Sequence, residues 1–361
     1  MIVQRHPKTN NNSLKAWSSA DEYLVRLANE QILPTSKIAI INDRFGFLSV
    51  QLSEYSPKII THCKSQEESI LKNFDSNEID SNNFNFSRIL DKSPGNNDLV
   101  VMKIPKSMDL FHLFLIKVYP SLQKEGKVYC GFMTRHFTKQ MIEIASLYFE
   151  NVEQSLAWKK SRVLKLSKPK SNVDEVEPIH SIPYTNHRDE NLVFKQYFGV
   201  FSGKHIDYAT QFLLANLTIN PSVEKALDLA SGNGVIAYEI RAQNKTVEIH
   251  LIDDSSLAVE SSKLNLKTGK NHFHYNSNLD DFADNFFDLV VCNPPFHFEH
   301  ENTIDIALSL FKDASRVLKP NGSFVLVANL HLNYKIQLTN IFENVEVLNM
   351  NSKFEIIRCI K

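Results

Sequence analysis

Asp288-Leu289-Val290-Val291-Cys292-Asn293-Pro294-Pro295-Phe296-His297-Phe298-Glu299 is the stretch on which the reading of this chain turns. An acid followed by four apolar residues suits a strand buried on both faces of a sheet. The run stops at Asn293. Pro294 and Pro295 lack backbone donors and fix φ, so the chain leaves the sheet in a stiff, extended turn. Rigid turns at the carboxyl ends of parallel strands are where open α/β sheets place their chemistry.

Asn293 offers a side-chain carbonyl there, and Pro294 a backbone carbonyl that no neighbouring strand claims. Two such acceptors can grip both hydrogens of a planar exocyclic amine and turn its lone pair out of the ring toward an electrophile. Phe296 adds a flat apolar face for stacking a base, a contact worth about 1–3 kcal/mol. Positioning and hydrogen bonding then carry the catalysis, with no nucleophilic side chain. The bland reading is a proline loop that merely ends a strand, and residues upstream decide against it.

Ala226-Leu227-Asp228-Leu229 reads as a strand that runs into Ala230-Ser231-Gly232-Asn233-Gly234 and then a helix. Glycines at a strand-to-helix turn let a ligand approach the backbone at the positive helix end. Twenty-five residues after Asp228, the strand Val247–Ile252 ends in Asp253, placed to hold ribose hydroxyls. Asn278 closes a short segment starting near His272, where a third strand would present a side chain to an adenine ring. Dinucleotide enzymes share a glycine loop, so Gly232 and Gly234 alone are weak evidence. Joined to Asp253 and the Asn-Pro-Pro-Phe turn in this order, they are strong. Val200-Phe201-Ser202 and Asp207 precede a further helix over Tyr208–Leu217. His297 and His300 do not make a metal site, because no Pro-Cys-x-x-Cys follows; no metal is expected.

The first half echoes the second. Asp98-Leu99-Val100-Val101-Met102-Lys103-Ile104-Pro105 parallels the 288–295 stretch, and Leu122–Gly126 parallels Leu318–Gly322. Ile38–Gly46 lies where Ala226–Gly234 lies. The spacing, about 190 residues, predicts an internal duplication. The alternative is that any two βα domains look alike. In the first copy the chemistry is gone: Lys103 stands for the Asn, Ile104 for the first Pro, and only Gly46 survives of the loop.

At 361 residues the chain exceeds one ordinary core, and two domains are expected. Its 43% hydrophobic and 22% charged content is that of a globular protein in water. No apolar stretch is long enough to span a membrane and no signal-peptide core follows Met1. Cys63, Cys130, Cys292 and Cys359 are scattered, which points to a reduced, cytoplasmic setting. Residues 1–190 hold 25 basic against 22 acidic residues, and 191–361 hold 15 against 19. The first half is therefore the better polyanion binder. Lys159, Lys160, Arg162, Lys165, Lys168 and Lys170 form a basic run beside Trp158, either a solvated face or a phosphate contact. The polar stretch 171–190 reads as a linker between domains 1–170 and 191–361.

These motifs resemble the class I S-adenosylmethionine-dependent methyltransferases of the ribosomal RNA guanine-N2 type, the RlmG/RsmC family, and within it the large-subunit branch. The resemblance rests on Val200–Ser202, Asp207, Asp228, Gly232–Ile236, Asp253, Val259–Asn265, Cys292–His297 and Val327–Leu332, with Ala16–Leu24, Asn42–Gly46 and Leu156–Lys160 in the first half. It implies an α/β fold of two tandem Rossmann-like methyltransferase domains, the first degenerate and suited to RNA binding. The implied activity is methylation of the N2 amine of a guanine in 23S ribosomal RNA. Asn293, Pro294, Pro295 and Phe296 would be catalytic. Phe201, Asp207, Asp228, Gly232, Gly234, Asp253 and Asn278 would hold S-adenosylmethionine. A 16S target, adenine N6, a protein glutamine amide or a non-catalytic RNA-binding module are the alternatives. One departure stands out: the family's third loop position is Gly, here Ala230. Its methyl is expected to crowd the cofactor or to force φ below zero.

Overall fold

Apolar runs alternating with amphipathic stretches build the same seven-stranded sheet twice. The computed structural model describes residues 1–8, 14–91, 96–294 and 304–361. They divide into two units, Met1–Pro178 and Ile179–Lys361.

In the first unit the strands are β1 (Ile38–Ile41), β2 (Lys58–Thr61), β3 (Phe86–Arg88), β4 (Asn97–Lys103), β5 (Leu122–Met133), β6 (Phe149–Gln154) and β7 (Ser161–Pro169). Helices α1 (Ser19–Asn29), α2 (Phe47–Gln51), α3 (Lys64–Asp75), α4 (Met108–Val118) and α5 (Lys139–Tyr148) connect them. The sheet order is β3-β2-β1-β4-β5-β7-β6. β1 to β5 run parallel and β7 and β6 close the edge antiparallel.

The second unit opens with a hairpin, β8 (Ile179–Thr185) and β9 (Asn191–Tyr197). The stretch 171–190, expected to be a linker, is therefore structured from Ile179 onward. Ile182 and Phe194 sink into the core, which the polar composition around them concealed. α6 (Tyr208–Asn216), β10 (Lys225–Leu229), α7 (Val235–Gln243), β11 (Glu248–Asp253), α8 (Ser256–Asn265), β12 (Asn271–Tyr275) and β13 (Phe287–Cys292) follow. α9 (Ile304–Val317), β14 (Leu318–Asn329), α10 (Tyr334–Leu338), β15 (Asn344–Met350) and β16 (Phe354–Ile360) complete it. The order β12-β11-β10-β13-β14-β16-β15 repeats the first sheet strand for strand.

The duplication extends to register. Ile38 pairs with Leu99 where Ala226 pairs with Leu289, and the partners lie 188 and 190 residues apart. Even the irregularity recurs: the ladder slips between Asn97 and Leu99 and again between Phe287 and Leu289. Asp98 and Asp288 sit at those slips and accept the backbone N–H of Lys37 and Lys225, respectively. Chance likeness between two βα domains does not reproduce a slip and its carboxylate.

Both faces of the second sheet are covered, as continuous apolar strands require. Leu213, Ile236, Leu251 and Val291 pack on one side, and Leu227, Val290, Phe311 and Phe324 on the other. Among the described residues no helix is long and apolar enough to cross a membrane.

At the tip of β4, Lys103 donates to the buried carboxylate of Asp21 on α1 at 2.9 Å. Removing one partner of a buried pair costs about 3–5 kcal/mol, and the 29% exposure of Lys103 trims this to about 1–3 kcal/mol. The Lys103→Ala variant is therefore expected to unfold at lower denaturant. Both tryptophans, Trp17 and Trp158, lie in the first unit, so their fluorescence reports it selectively. An unchanged midpoint would show that the pair does not hold the unit.

Candidate active site

Three strand ends line up in the second unit. β10 lies between β11 and β13, with Leu229 level with Ile252 on one side and Cys292 on the other. The residues that follow, Ala230, Asp253 and Asn293, therefore stand side by side at the carboxyl edge. Strand order reverses between β10 and β13, the switch point where open α/β sheets bind ligands.

The loop after β10 is wound left-handed. Ala230 has φ 60°, Gly232 54° and Gly234 80°. Ala230 thus keeps the positive φ that the family's Gly would adopt; the expected move below zero does not occur. A Cβ at Gly234 would come within 2.9 Å of Ser262 Cβ and 3.1 Å of Leu266 Cδ1, so this glycine is required by packing. A Cβ at Gly232 would meet nothing within 4 Å among the described residues. The loop is closed from below at Gly234 and open at Gly232.

Two carboxyls hold it. Asp228 is fully buried and accepts the Ala237 N–H at 2.9 Å, tying β10 to α7. Burial pushes its carboxyl well above the usual range. Named from sequence as a cofactor contact, Asp228 is a brace beneath the loop. Asp253 accepts the Gly232 N–H at 2.9 Å and the Ser255 N–H at 2.8 Å. Desolvation pushes its carboxyl up to about 6, against the pull of those two amides.

Asn293 is held by its nitrogen. Its Nδ2 donates to Asp207 Oδ2 at 3.2 Å and to Thr210 Oγ1 at 2.8 Å. Its carbonyl oxygen is buried and has no hydrogen-bond partner among the described residues. Asp207 also caps α6, accepting from the N–H groups of Ala209 and Thr210. Asp207, expected from sequence as a cofactor ligand, anchors the Asn293 amide in this structure. Pro294 is buried beside it. Pro295, Phe296, His297 and His300 lie outside the described residues.

Phe201 is 71% exposed, and its carbonyl accepts from Gln196. Asn278 lies three residues beyond β12, in a turn where its side chain accepts the Asp280 N–H rather than closing a strand. Sequence reasoning passed over Thr210 and Gln196. Gln196 is fully buried in β9, accepts from Asn233 Nδ2 and donates to the Val200 and Phe201 carbonyls. It joins two loops of the site through the hairpin that looked like a linker. Asn265, in the motif over 259–265, donates to the Asn233 carbonyl from α8. Period-two burial of Gln196 beside Phe194 was the available signal.

One histidine group lies elsewhere. Glu248, His250 and His272 present ligand atoms within 4.8 Å of one another on β11 and β12. The two imidazoles stack with planes 21° apart, and both turn Nε2 toward Glu248 Oε1, at 3.3 Å from His250 and 3.1 Å from His272.

In the first copy the same edge is filled. The loop Asn42–Gly46 repeats the fold of Ala230–Gly234, with φ 59° at Asn42 and 85° at Gly46. Arg44 takes the place of Gly232, and Asn42 donates to the Lys103 carbonyl. Asp43 accepts from Gly46 and Ser49, so a loop carboxylate replaces the strand carboxylate of Asp228.

An alanine at positive φ costs about 1–2 kcal/mol, partly offset by the backbone entropy a glycine loses. Ala230→Gly should therefore stabilise the second unit by about 0.5–1 kcal/mol, whereas Gly234→Ala should cost about 2–4 kcal/mol by overpacking and strain. Calorimetric melting of the two variants checks both signs; a stabilising Gly234→Ala would refute the packing argument.

Residues 1–170 match the family described as RLMG N-terminal domain, and residues 191–358 the one described as Methyltransferase small domain. A Psychromonas ingrahamii protein named ribosomal RNA large subunit methyltransferase G is 31% identical over 100% of this chain and 97% of its own length. Its Vibrio parahaemolyticus namesake is also 31% identical, over 100% of this chain and 95% of its own. Among solved structures, the T. thermophilus 16S rRNA N2 methyltransferase RsmC, in complex with AdoMet and guanosine, superposes with a TM-score of 0.78 at 19% identity, covering 100% of this chain and 97% of that one. That likeness establishes the fold, including both copies of the sheet. With the full-length relatives, it closes the argument: the chain belongs to the ribosomal RNA large subunit methyltransferase G family.

Proposed function

We propose that the second unit transfers a methyl group from S-adenosylmethionine to the N2 amine of a guanine in 23S ribosomal RNA. The observation that carries this reading is the buried carbonyl oxygen of Asn293 at the switch point, unpartnered among the described residues. A lone acceptor there fits a planar amine, which has hydrogens to give. Family membership directs the reading to large-subunit ribosomal RNA, and the sequence motifs direct it to guanine N2.

The residues present fit the cofactor. Gly232 offers an open approach to the backbone, and Asp253 stands one strand over with acceptors for ribose hydroxyls. Phe201 and Asn278 flank this edge from the segments before α6 and after β12. Bound there, the cofactor supplies an electrophilic methyl group on a sulfonium. Asn293 Oδ1 accepts one amine hydrogen, with the Pro294 carbonyl placed by the turn to accept the other. The amine lone pair is thereby directed out of the base plane, and its proton leaves to water. The target base must be splayed from its stack to reach this edge. Phe296 is proposed to stack on it.

Asn293→Ala is expected to cut methyl transfer at least about 100-fold, the scale of losing a hydrogen bond aimed at the reacting group. Calorimetry should show cofactor affinity nearly unchanged. Turnover near that of the unaltered protein would sink the assignment.

For the first unit we propose an RNA-anchoring role, supported by its excess of basic residues. The basic run is not one surface. Lys165 and Lys170 are used internally, over the Tyr129 ring and on the Ser146 carbonyl, and Arg162 donates to Gln154. Lys159 covers Trp158 and pairs with Glu22. Lys160 is exposed, and its carbonyl accepts the Thr134 N–H, which brings exposed Arg135 beside it. Changing Lys160 and Arg135 together to Ala should weaken RNA binding and lower its salt slope by about 1.5, the worth of two phosphate contacts. An unchanged slope in binding titrations would move the anchor elsewhere.

A further inference from the structure

Asn293 can work only one way round. Its amide has a donor end and an acceptor end of nearly the same shape, and only the acceptor end can receive an amine hydrogen. Rotation by half a turn about its terminal bond would present two N–H groups to the substrate and abolish the grip. Something must set the choice.

We infer that Thr210, acting with Asp207, is a positioning residue that locks the Asn293 amide with its carbonyl oxygen toward the substrate. Both partners lie on the same side of the amide. Asp207 Oδ2 lies 3.2 Å from Nδ2, and a carboxylate offers acceptors only. The reversed amide would set oxygen against oxygen at that distance. Thr210 Oγ1 sits closer, at 2.8 Å, and Thr210 is only 6% exposed, so the contact is shielded from water. α6 makes the arrangement stiff. Asp207 is its cap and Thr210 belongs to its first turn, so the cap bond from Thr210 N–H to Asp207 fixes the two acceptors relative to each other.

The first copy supplies an independent comparison within the same chain. There the residue at the tip of β4 is Lys103, level with Asn293 in the register, and an acid of α1, Asp21, meets it at 2.9 Å. An acid at the start of the first helix reaches the same strand tip in both copies, from the third helical position at Asp21 and from the cap at Asp207. The lysine needs no orienting, since its ammonium donates in every direction. The copy with the two-ended amide meets a hydroxyl acceptor at 2.8 Å.

Whether the lock serves catalysis rests on the transfer proposed above, so two kinds of measurement are needed. Thr210→Val keeps the shape and removes the acceptor; Thr210→Ser keeps the hydroxyl. In ¹⁵N spectra of the full chain, the Asn293 side-chain N–H₂ hydrogens should exchange slowly in the unaltered protein and in Thr210→Ser, and rapidly in Thr210→Val. In turnover, Thr210→Val should lower kcat by about 10–100-fold, the scale of a misplaced reacting group, with KM for RNA and cofactor affinity unchanged. Thr210→Ser should recover activity to near that of the unaltered protein. In an Asn293→Ala background Thr210→Val should cost nothing further. Equal exchange in all three proteins would overturn the lock. Equal losses of kcat in the Val and Ser variants would also overturn it, by showing a packing effect. If exchange behaves as stated but the unaltered protein methylates no RNA amine, the lock stands and the proposed function falls.

Discussion

The hydrogen bond from the Ala237 amide to the buried carboxyl of Asp228 fixes how the first strand of the catalytic sheet hands over to its helix. Everything at the carboxyl edge is placed relative to that handover. With β10 tied to α7, the five residues between them must turn within a short span. They do so through left-handed backbone at Ala230, Gly232 and Gly234. The turn sets Gly232 against Asp253 on one flank, while the register of β10 with β13 sets Asn293 on the other. A carboxyl in this position is costly to ionise, and burial drives it well above its usual range. Its value lies in geometry.

The first copy reaches the same turn by other bonds. Ile40 occupies the strand position of Asp228, and Asp43, inside the loop, accepts the Ser49 amide that corresponds to Ala237. Asp43 also accepts the Ser49 hydroxyl at 2.8 Å and is pushed up to about 6 by burial. The acid moved and the amide it serves did not. Retention of this bond through loss of the glycines and of the Asn-Pro-Pro turn separates what the fold needs from what the chemistry needs.

Much of this was legible in the sequence because strands buried on both faces leave long apolar runs, and because punctuation by Gly, Pro and Asn marks their ends. β10, β11 and β13 were found for that reason, and the duplication for the same reason twice over. Asp253, Gly232 and Asn293 do meet at one edge. The internal partners of Asp207 and Asp228 were not legible, since a motif gives a residue's place along the chain, whereas its partner depends on a contact far away in sequence. Asp207 meets Asn293 across 86 residues. Thr210 and Gln196 carried no motif. The hairpin at 179–197 was hidden by its polarity, as an alternating strand pair with one wet face shows only a few apolar residues.

Comparison of the two edges shows how a site is kept or lost at fixed topology. In the first copy the groups that stand at the site's positions find partners within the unit: Lys103 with Asp21, Asn42 with the Lys103 carbonyl and Gln66, Asp43 with its own loop. Asn42 also takes its positive φ at little cost, a conformation that asparagine tolerates. In the second copy the same positions leave Asn293 Oδ1 and Asp228 Oδ1 buried without partners among the described residues and hold an alanine left-handed. Each of these features is worth about 1–3 kcal/mol against stability. A chain under no demand but folding would shed them, as the first copy has done where Ile40 and Lys103 replace Asp228 and Asn293. Their retention on one edge only, in sheets otherwise matched to the slip in their ladders, is what a binding site costs the fold that carries it.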